Sequence, residues 1–179
     1  ARDMGRITLN PLPHIDPFMT VLLPLVLALS GGFIFGGAKP VPVAYHRLKS
    51  PLRDMMLVAL AGPVSNFLIA IVFMIAFKAA IYVGDYAPDQ MMPRVLLMSA
   101  WVNVLLSVFN LVPIPPLDGS RVMTWLLPAP IRASYASLER FGLLLVIVVI
   151  FFVPGFQQLL GEGMASMMGV IDTITGGPW

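Results

Sequence analysis

The sequence predicts an all-α membrane protein, a polytopic helical bundle with about three spanning helices. Its 179 residues are 58% hydrophobic and 11% charged, whereas soluble domains carry about 25% charged residues. The mean hydropathy is +0.88, and long apolar runs recur along the chain. Because too little polar material remains to cover a soluble globule, the lipid bilayer is the expected environment. We expect residues 1–179 to form a single transmembrane domain.

Charge and cysteine content exclude several classes of protein. The formal net charge is +2, and no cluster of Lys and Arg is dense enough for a nucleic-acid interface. No nucleic-acid partner is therefore expected. The chain has no cysteine, which rules out disulfides and thiolate metal ligands.

Three segments are long and apolar enough to cross a bilayer, which takes about 20 residues. They are 55–83, 95–112 and 141–160, the last with a bend expected at Pro154-Gly155. In residues 161–179, Met and Ile recur at helical spacing. This pattern predicts an interfacial tail or a packing face, and we attach no function to it.

The distribution of Lys and Arg predicts which side of the membrane each loop occupies. Residues 36–54 and 119–140 are rich in basic side chains and should be cytoplasmic, whereas 84–94 should lie outside. No Lys or Arg follows Phe141, so we expect the C-terminus outside. Lys78 falls near the outer end of the first span, where its stem could snorkel to the interface.

A fourth apolar stretch, residues 18–35, does not fit this alternation. Both of its flanks are basic, with Arg6 before it and Lys39 after it. Pro24 and a glycine pair also weaken a straight helix. We therefore predict a re-entrant or buried segment, with an ordinary span as the alternative.

One carboxylate follows the second span behind a run of prolines. Residues 109–121 read FNLVPIPPLDGSR, with Asp118 in the segment predicted to lie at the cytoplasmic membrane boundary. The residues that shape this stretch are Pro113, Pro115, Pro116 and Gly119. Proline removes amide donors and favours extended backbone, so we expect a rigid extended strip followed by a sharp reversal. Asp118 could pair with Arg121, but a rigid mount favours a metal ligand.

Polar side chains line one face of the second span. Ser99, Asn103, Ser107 and Asn110 follow one another at steps of four, four and three residues. Hydrogen bonding between helices is the expected role of Ser99 and Ser107. Asn110 lies eight residues before Asp118 on a backbone that cannot stay helical, so we single it out as a candidate site residue.

The first span contains a second motif, AGPVSN, at residues 61–66. Its small residues allow another helix to approach closely. For Gly62 and Pro63 tight packing explains the pattern. Asn66 could either hydrogen-bond across a helix interface or orient a site ligand.

Together these motifs resemble the site-2 proteases, a family of intramembrane zinc metalloproteases. AGPVSN is followed by NLVPIPPLDG at residues 110–119. GRITLNPLPHIDP at 5–17 and AKPVPV at 38–43 are similar to the compact bacterial branch. The likeness covers about residues 5–125 and has four motifs in the same order.

The resemblance implies a role for three residues. Asp118 corresponds to a zinc ligand, Asn110 to a residue that binds the scissile peptide or its oxyanion, and Asn66 to a supporting position. The implied cofactor is one Zn²⁺ ion, and the implied partners are a transmembrane protein substrate and the bilayer. The implied location is the cell membrane, multi-pass and bacterial, with the active site on the cytoplasmic side. Either the proline-rich strip or AKPVPV could pair with an unwound substrate strand.

The chain departs from the family because it contains no HExxH motif. Its histidines are His14 and His46, which are not one helical turn apart. We expect the two remaining zinc ligands and the catalytic Glu upstream of Ala1, so that the chain is the C-terminal part of a longer protease and inactive by itself. The alternative is a non-catalytic pseudoprotease that binds membrane helices. A small transporter would need more intramembrane charge than Asp118 and Lys78 provide.

Overall fold

The structure is a computed structural model that describes residues 49–177, except for the side chain of Leu143. The predicted re-entrant segment 18–35 and the motifs at 5–17 and 38–43 lie outside the described residues. The elements in chain order are α1 Pro51–Tyr82, α2 Met91–Leu111, α3 Asp118–Leu126, α4 Ala129–Ser137, a 3₁₀ helix Leu138–Phe141, α5 Gly142–Phe152 and α6 Phe156–Ile174. The described part is helical without strands, which confirms the predicted fold class.

Two of the described helices, α1 and α2, are long and apolar enough to cross a membrane. A third crossing is possible if Ala129–Phe141 and Leu144–Phe152, which are bent by 90°, form one broken span. Large apolar side chains such as Val72 and Met98 remain exposed on the outer faces of α1 and α2. Exposure of this kind suits helices whose surroundings are lipid.

The hydrophobic core lies where α1, α2 and α6 meet. Ala70 and Ala100 are fully buried, so the backbones of α1 and α2 can approach closely. Larger core side chains fill the remaining space: Met74, Phe77, Val104, Met168 and Ile171. The apolar face of α6 thus packs against the α1–α2 pair.

The third predicted span, residues 141–160, is divided in the structure. α5 ends at Phe152 and α6 begins at Phe156, after Gly155 adopts a positive φ of 79°. Residues 161–174 then continue α6, and Met168 and Ile171 of this stretch belong to the core, as the packing-face alternative requires. Proline and glycine at the break explain the division, since proline ends the first helix and only glycine adopts this φ readily.

Lys78 does not snorkel, contrary to our prediction. Lys78 is only 7% exposed, and its Nζ lies 2.6 Å from Oδ1 of Asp172 near the end of α6. Nζ also donates to the backbone carbonyls of Asp172 at 3.2 Å and Gly177 at 2.5 Å. A cation at a helix C-terminus satisfies carbonyls that lack helical donors. Lys78 therefore ties the end of α6 to α1.

Candidate metal centre

The segment between α2 and α3 folds as a series of tight turns, not as the extended strip that we predicted. The amide of Ile114 donates to the Val112 carbonyl at 2.8 Å, and the amide of Leu117 donates to the Ile114 carbonyl at 2.9 Å. The prolines of this segment, Pro113, Pro115 and Pro116, have no amide hydrogen. The third amide of the segment, that of Val112, donates back to the Phe109 carbonyl of α2 at 3.1 Å. Because two of the three donors find carbonyls inside the segment, it curls back on itself.

The reversal after this turn segment requires glycine at position 119. A Cβ at Gly119 would overlap the carbonyl of Leu111 and would lie 2.6 Å from the carbonyl oxygen of Val112. The first turn of α3 thus rests directly on the end of α2. This contact fixes where Asp118, the first residue of α3, can be.

The carboxylate of Asp118 lies against the AGPVSN motif of α1. A Cβ built on Gly62 would be 3.0 Å from Oδ2 of Asp118, so only a residue without a side chain leaves this space open. The two motifs are 56 positions apart in sequence, and the α1–α2 hairpin brings them together. Asn66 follows Gly62 by four residues and lies on the same face of α1.

Asp118 is half-buried and does not pair with Arg121. The guanidinium of Arg121 instead binds Oε1 of Glu139 at 2.5 Å. Within residues 49–177, no donor hydrogen-bonds to the Asp118 carboxylate. Burial raises the pKa of Asp118 above its usual value, and the charge of Arg121 offsets part of this rise. The surface ion pair that we considered for Asp118 is therefore not formed.

The polar face of α2 is mostly satisfied within its own helix. Ser99, Asn103 and Asn110 each donate to the carbonyl four residues earlier, at 2.8–2.9 Å. The prediction of an interhelical bond is wrong for Ser99 and is confirmed for Ser107. The Ser107 hydroxyl is buried and donates to the Pro63 carbonyl at 2.9 Å. This bond joins α2 to α1 at Pro63, the residue that follows Gly62.

The site roles of Asn110 and Asn66 stay predictions, and the structure describes which hydrogen bonds the two side chains make. Asn110 uses one amide hydrogen for the Leu106 carbonyl, and the second hydrogen of Nδ2 is not used within the described residues. Asn66 is half-buried and makes no hydrogen bond to any residue that the structure describes. Both side chains thus retain donors for another partner.

Two side chains of α4 that no sequence motif indicated hold the turn segment and the end of α3 in place. The phenol of Tyr135 in α4 donates to the Pro113 carbonyl at 2.8 Å. Arg132 donates to the carbonyls of Thr124 and Leu127 at 3.0 and 2.8 Å, which caps the end of α3. The sequence alone indicates only a cytoplasmic loop over 119–140. The partners lie up to 22 residues apart, and no local pattern reveals such pairings.

The described residues fit one position of a zinc site. Asp118 offers a carboxylate without a competing partner, which suits a single oxygen ligand. A zinc site needs at least three protein ligands, and among residues 49–177 no group of three His, Asp or Glu side chains converges. His14 and His46 lie outside the described residues.

Fold and site together define a helical membrane protein with one half-buried carboxylate at the end of a candidate span. The model of peptidase family M50 matches residues 78–154. The chain is also 37% identical over 184 residues to YwhC of Bacillus subtilis (strain 168), whose name marks it as a provisional zinc metalloprotease. The alignment covers 97% of this chain and 79% of YwhC. The chain therefore belongs to peptidase family M50, the site-2 proteases.

Two further relatives carry the same provisional zinc metalloprotease description. Rip2 of Mycolicibacterium smegmatis is 29% identical, with 82% of this chain and 54% of Rip2 aligned. MJ0611 of Methanocaldococcus jannaschii is 30% identical, with 56% of this chain and 51% of MJ0611 aligned. The aligned chain thus spans about half of each of these two proteins. No solved structure matches the chain.

Proposed function

We propose that this chain is part of an intramembrane zinc metalloprotease that hydrolyses peptide bonds in transmembrane helices of substrate proteins. The observation that carries the proposal is the placement of Asp118. Its carboxylate is half-buried beside Gly62 at the end of a candidate span, and Arg121 is engaged by Glu139 instead. A carboxylate in that position, in a member of this family, is best explained as a metal ligand.

Asp118 would supply one ligand of a Zn²⁺ ion. Two histidines of an HExxH motif, which this sequence does not contain, would supply the others. A bound zinc ion polarises a carbonyl and lowers the pKa of a water molecule. The contribution of this chain is to hold one carboxylate oxygen in a fixed place. The glycine contacts on both sides of Asp118 support that role.

Asn110 would donate a hydrogen bond to the oxyanion that develops on the scissile carbonyl. One hydrogen of Nδ2 is held by the Leu106 carbonyl, which orients the amide. The other hydrogen is then available without breaking that bond. An oxyanion donor of this kind contributes about 3 kcal/mol to transition-state stabilisation. Asn66, on the Gly62 face of α1, would support the site.

A substrate helix must unwind locally before its carbonyl can be attacked. Pairing with an extended substrate strand needs free amides as well as free carbonyls. The turn segment 112–117 offers no free amide, because Val112 donates to the Phe109 carbonyl and Ile114 and Leu117 donate within the segment. We therefore propose AKPVPV at residues 38–43, rather than the turn segment, as the pairing edge.

The proposed location is the cell membrane, multi-pass, with Asp118 on the cytoplasmic side. The number of basic residues in 36–54 and 119–140 supports this orientation. α3, which begins with Asp118, and α4, which contacts the turn segment through Tyr135, would then lie at the inner membrane surface.

The alternative is a pseudoprotease that binds membrane helices without cutting them. One observation favours it: a complete ligand set is lacking among the described residues. The two functions make different predictions about zinc. A pseudoprotease would hold no stoichiometric zinc in any version of the protein, whereas the protease would hold one ion.

The test uses the protein expressed with whatever in-frame codons precede Ala1. Zinc content and cleavage of a reporter transmembrane helix would be measured for it, for Asp118→Asn, and for Asp89→Asn as a control. Asp89 is exposed in the connection between α1 and α2, so its change removes the same charge elsewhere. We expect Asp118→Asn to lose zinc and cleavage while Asp89→Asn keeps both. Full zinc content and normal cleavage in Asp118→Asn would refute the site.

A further inference from the structure

A cleft of about 490 Å³ lies between the start of α1 and the helices α3 and α4. It is separate from the turn segment and from Asp118. Its lining residues are Ser50, Pro51, Leu52, Arg53, Trp125 and Arg132. Two of these carry guanidinium groups, and no carboxylate is among them. The cleft therefore favours an anion.

Asp54 follows Arg53 in sequence but is not among the lining residues of the cleft. Its Oδ2 accepts a hydrogen bond from the amide of Ser50 at 3.1 Å, at the start of α1. Within the described residues, Arg53 is exposed and no group bonds to its guanidinium. An unpaired arginine in a cleft with a second arginine attracts a group of opposite charge.

Arg132 is fixed in place and still has donors to offer. Its Nε and one Nη2 hydrogen hold the carbonyls of Thr124 and Leu127. A guanidinium has five N–H groups, so three remain. A side chain already held by two bonds loses less rotamer freedom when it binds a ligand.

The cleft also has the apolar border expected at the level of lipid headgroups. Leu52 is 40% exposed, Trp125 42% and Leu126 61%. The apolar part of α1 begins directly afterwards, at Met55. Tryptophan is enriched where a membrane protein passes from hydrocarbon to water. A ligand in this cleft would meet cations on one side and apolar surface on the other.

We propose that this cleft binds the phosphate headgroup of an anionic phospholipid. The phosphate would lie between Arg53 and Arg132, since guanidinium matches phosphate oxygens geometrically. The glycerol and upper acyl chain would contact Leu52 and Trp125. Basic pockets between helices at the membrane surface are known to hold acidic headgroups. This proposal does not depend on the proposed protease activity.

The experiment compares lipid binding by the purified chain with that of two arginine variants. Phosphatidylglycerol and phosphatidylcholine are each titrated into detergent-solubilised protein, and bound lipid is counted by native mass spectrometry. Arg53→Gln removes a cleft arginine that supports no other contact in the described structure. Arg94→Gln is the matched control, because Arg94 is exposed at the start of α2, remote in sequence from the cleft. Thermal unfolding verifies that both variants fold.

We expect wild type and Arg94→Gln to retain phosphatidylglycerol in preference to phosphatidylcholine. Arg53→Gln should bind phosphatidylglycerol about fivefold more weakly, the change that one basic side chain near an acidic membrane surface typically contributes. Equal losses in the two variants would overturn the proposal, because they would indicate general charge attraction. Equal binding of the two lipids by wild type would overturn it as well.

A third arm separates a lipid from a free phosphate. Glycerol 3-phosphate and inorganic phosphate are added as competitors at the same concentration as the lipid. We expect neither to displace phosphatidylglycerol, because neither reaches the apolar border of the cleft. Full displacement would show a site for soluble phosphates and would overturn the assignment to lipid.

Discussion

At the scale of single residues, two glycines determine the geometry around Asp118. Gly119 lets the first turn of α3 rest on the carbonyls that end α2, and Gly62 leaves space for the carboxylate beside α1. The two differ in what a methyl group would meet. At Gly119 it meets backbone, which cannot move aside, whereas at Gly62 it meets the end of a side chain. Substitution at Gly119 should therefore affect the fold, and substitution at Gly62 mainly the site.

Gly119→Ala should lower the free energy of unfolding by about 1–3 kcal/mol, the usual cost of overpacking. Thermal or SDS-induced unfolding in detergent micelles measures this change. Gly169→Ala is the control, because Gly169 is a helical glycine of α6 where an added methyl group would have no neighbouring atom within 4 Å. The control should be neutral or slightly stabilising, since alanine favours helix. Equal stability of Gly119→Ala and wild type would contradict the contact with Leu111.

Gly62→Ala should leave the fold intact and displace the Asp118 carboxylate. The added methyl group would be 3.0 Å from Oδ2, closer than ordinary van der Waals contact. In the zinc-loaded protein, we expect weaker zinc retention against a chelator with little change in unfolding temperature. Unchanged zinc retention would mean that the carboxylate has room to shift.

At the scale of helices, α6 is held to α1 by the Lys78–Asp172 pair, and the turn segment is held by α4. Lys78 is buried, and the side chain of Asp172 is 22% exposed. Neither partner is expected from its own sequence neighbourhood, since they are 94 residues apart. The helical spacing of Met and Ile is a local signal, and it left an interfacial tail and a packing face open as alternatives for the residues after Gly161.

Lys78→Met should destabilise the protein by about 3 kcal/mol, because it leaves the Asp172 carboxylate without its partner in a largely buried position. The double variant Lys78→Met/Asp172→Asn should lose less than Lys78→Met alone. A double-mutant cycle on unfolding free energies measures the coupling between the two side chains. Additive losses would show that the pair contributes nothing as a pair.

Tyr135→Phe should remove the hydrogen bond to the Pro113 carbonyl and lower stability by about 1 kcal/mol. The change should be concentrated in the turn segment, where hydrogen exchange at Ile114 and Leu117 should become faster. Tyr82→Phe is the control, since Tyr82 is 66% exposed and bonds to none of the described residues. If the hydrogen-exchange protection of the Ile114 amide were the same in Tyr135→Phe as in wild type, the bond from Tyr135 would not stabilise the turn segment.

At the scale of the whole molecule, composition and apolar run length were sufficient for the fold class and for the approximate place of α1 and α2. For the segment after Phe141 the sequence indicated a bend at Pro154-Gly155 within one span, but not its division into the separate helices α5 and α6. The site was only partly predictable. Asp118 and Gly62 belong to recognisable motifs, whereas the turn geometry depends on where Ile114 and Leu117 donate.

The predicted orientation can be tested with introduced cysteines, because these 179 residues contain none. Asp89→Cys should react with a membrane-impermeant maleimide in intact cells. Ser137→Cys should react only after the membrane is permeabilised. Both positions are exposed, so accessibility in the folded protein is not a barrier. The reverse labelling pattern would invert the topology and place Asp118 outside.

The turn segment between α2 and α3 also has a bearing on inhibitor chemistry. Three of its six residues lack an amide hydrogen, and the amides of the other three, Val112, Ile114 and Leu117, already donate to backbone carbonyls. A small molecule lying along it would therefore meet acceptors alone. Compounds aimed at this surface should present N–H or O–H groups toward it, and carbonyl-rich peptidomimetic scaffolds should be poor ligands there.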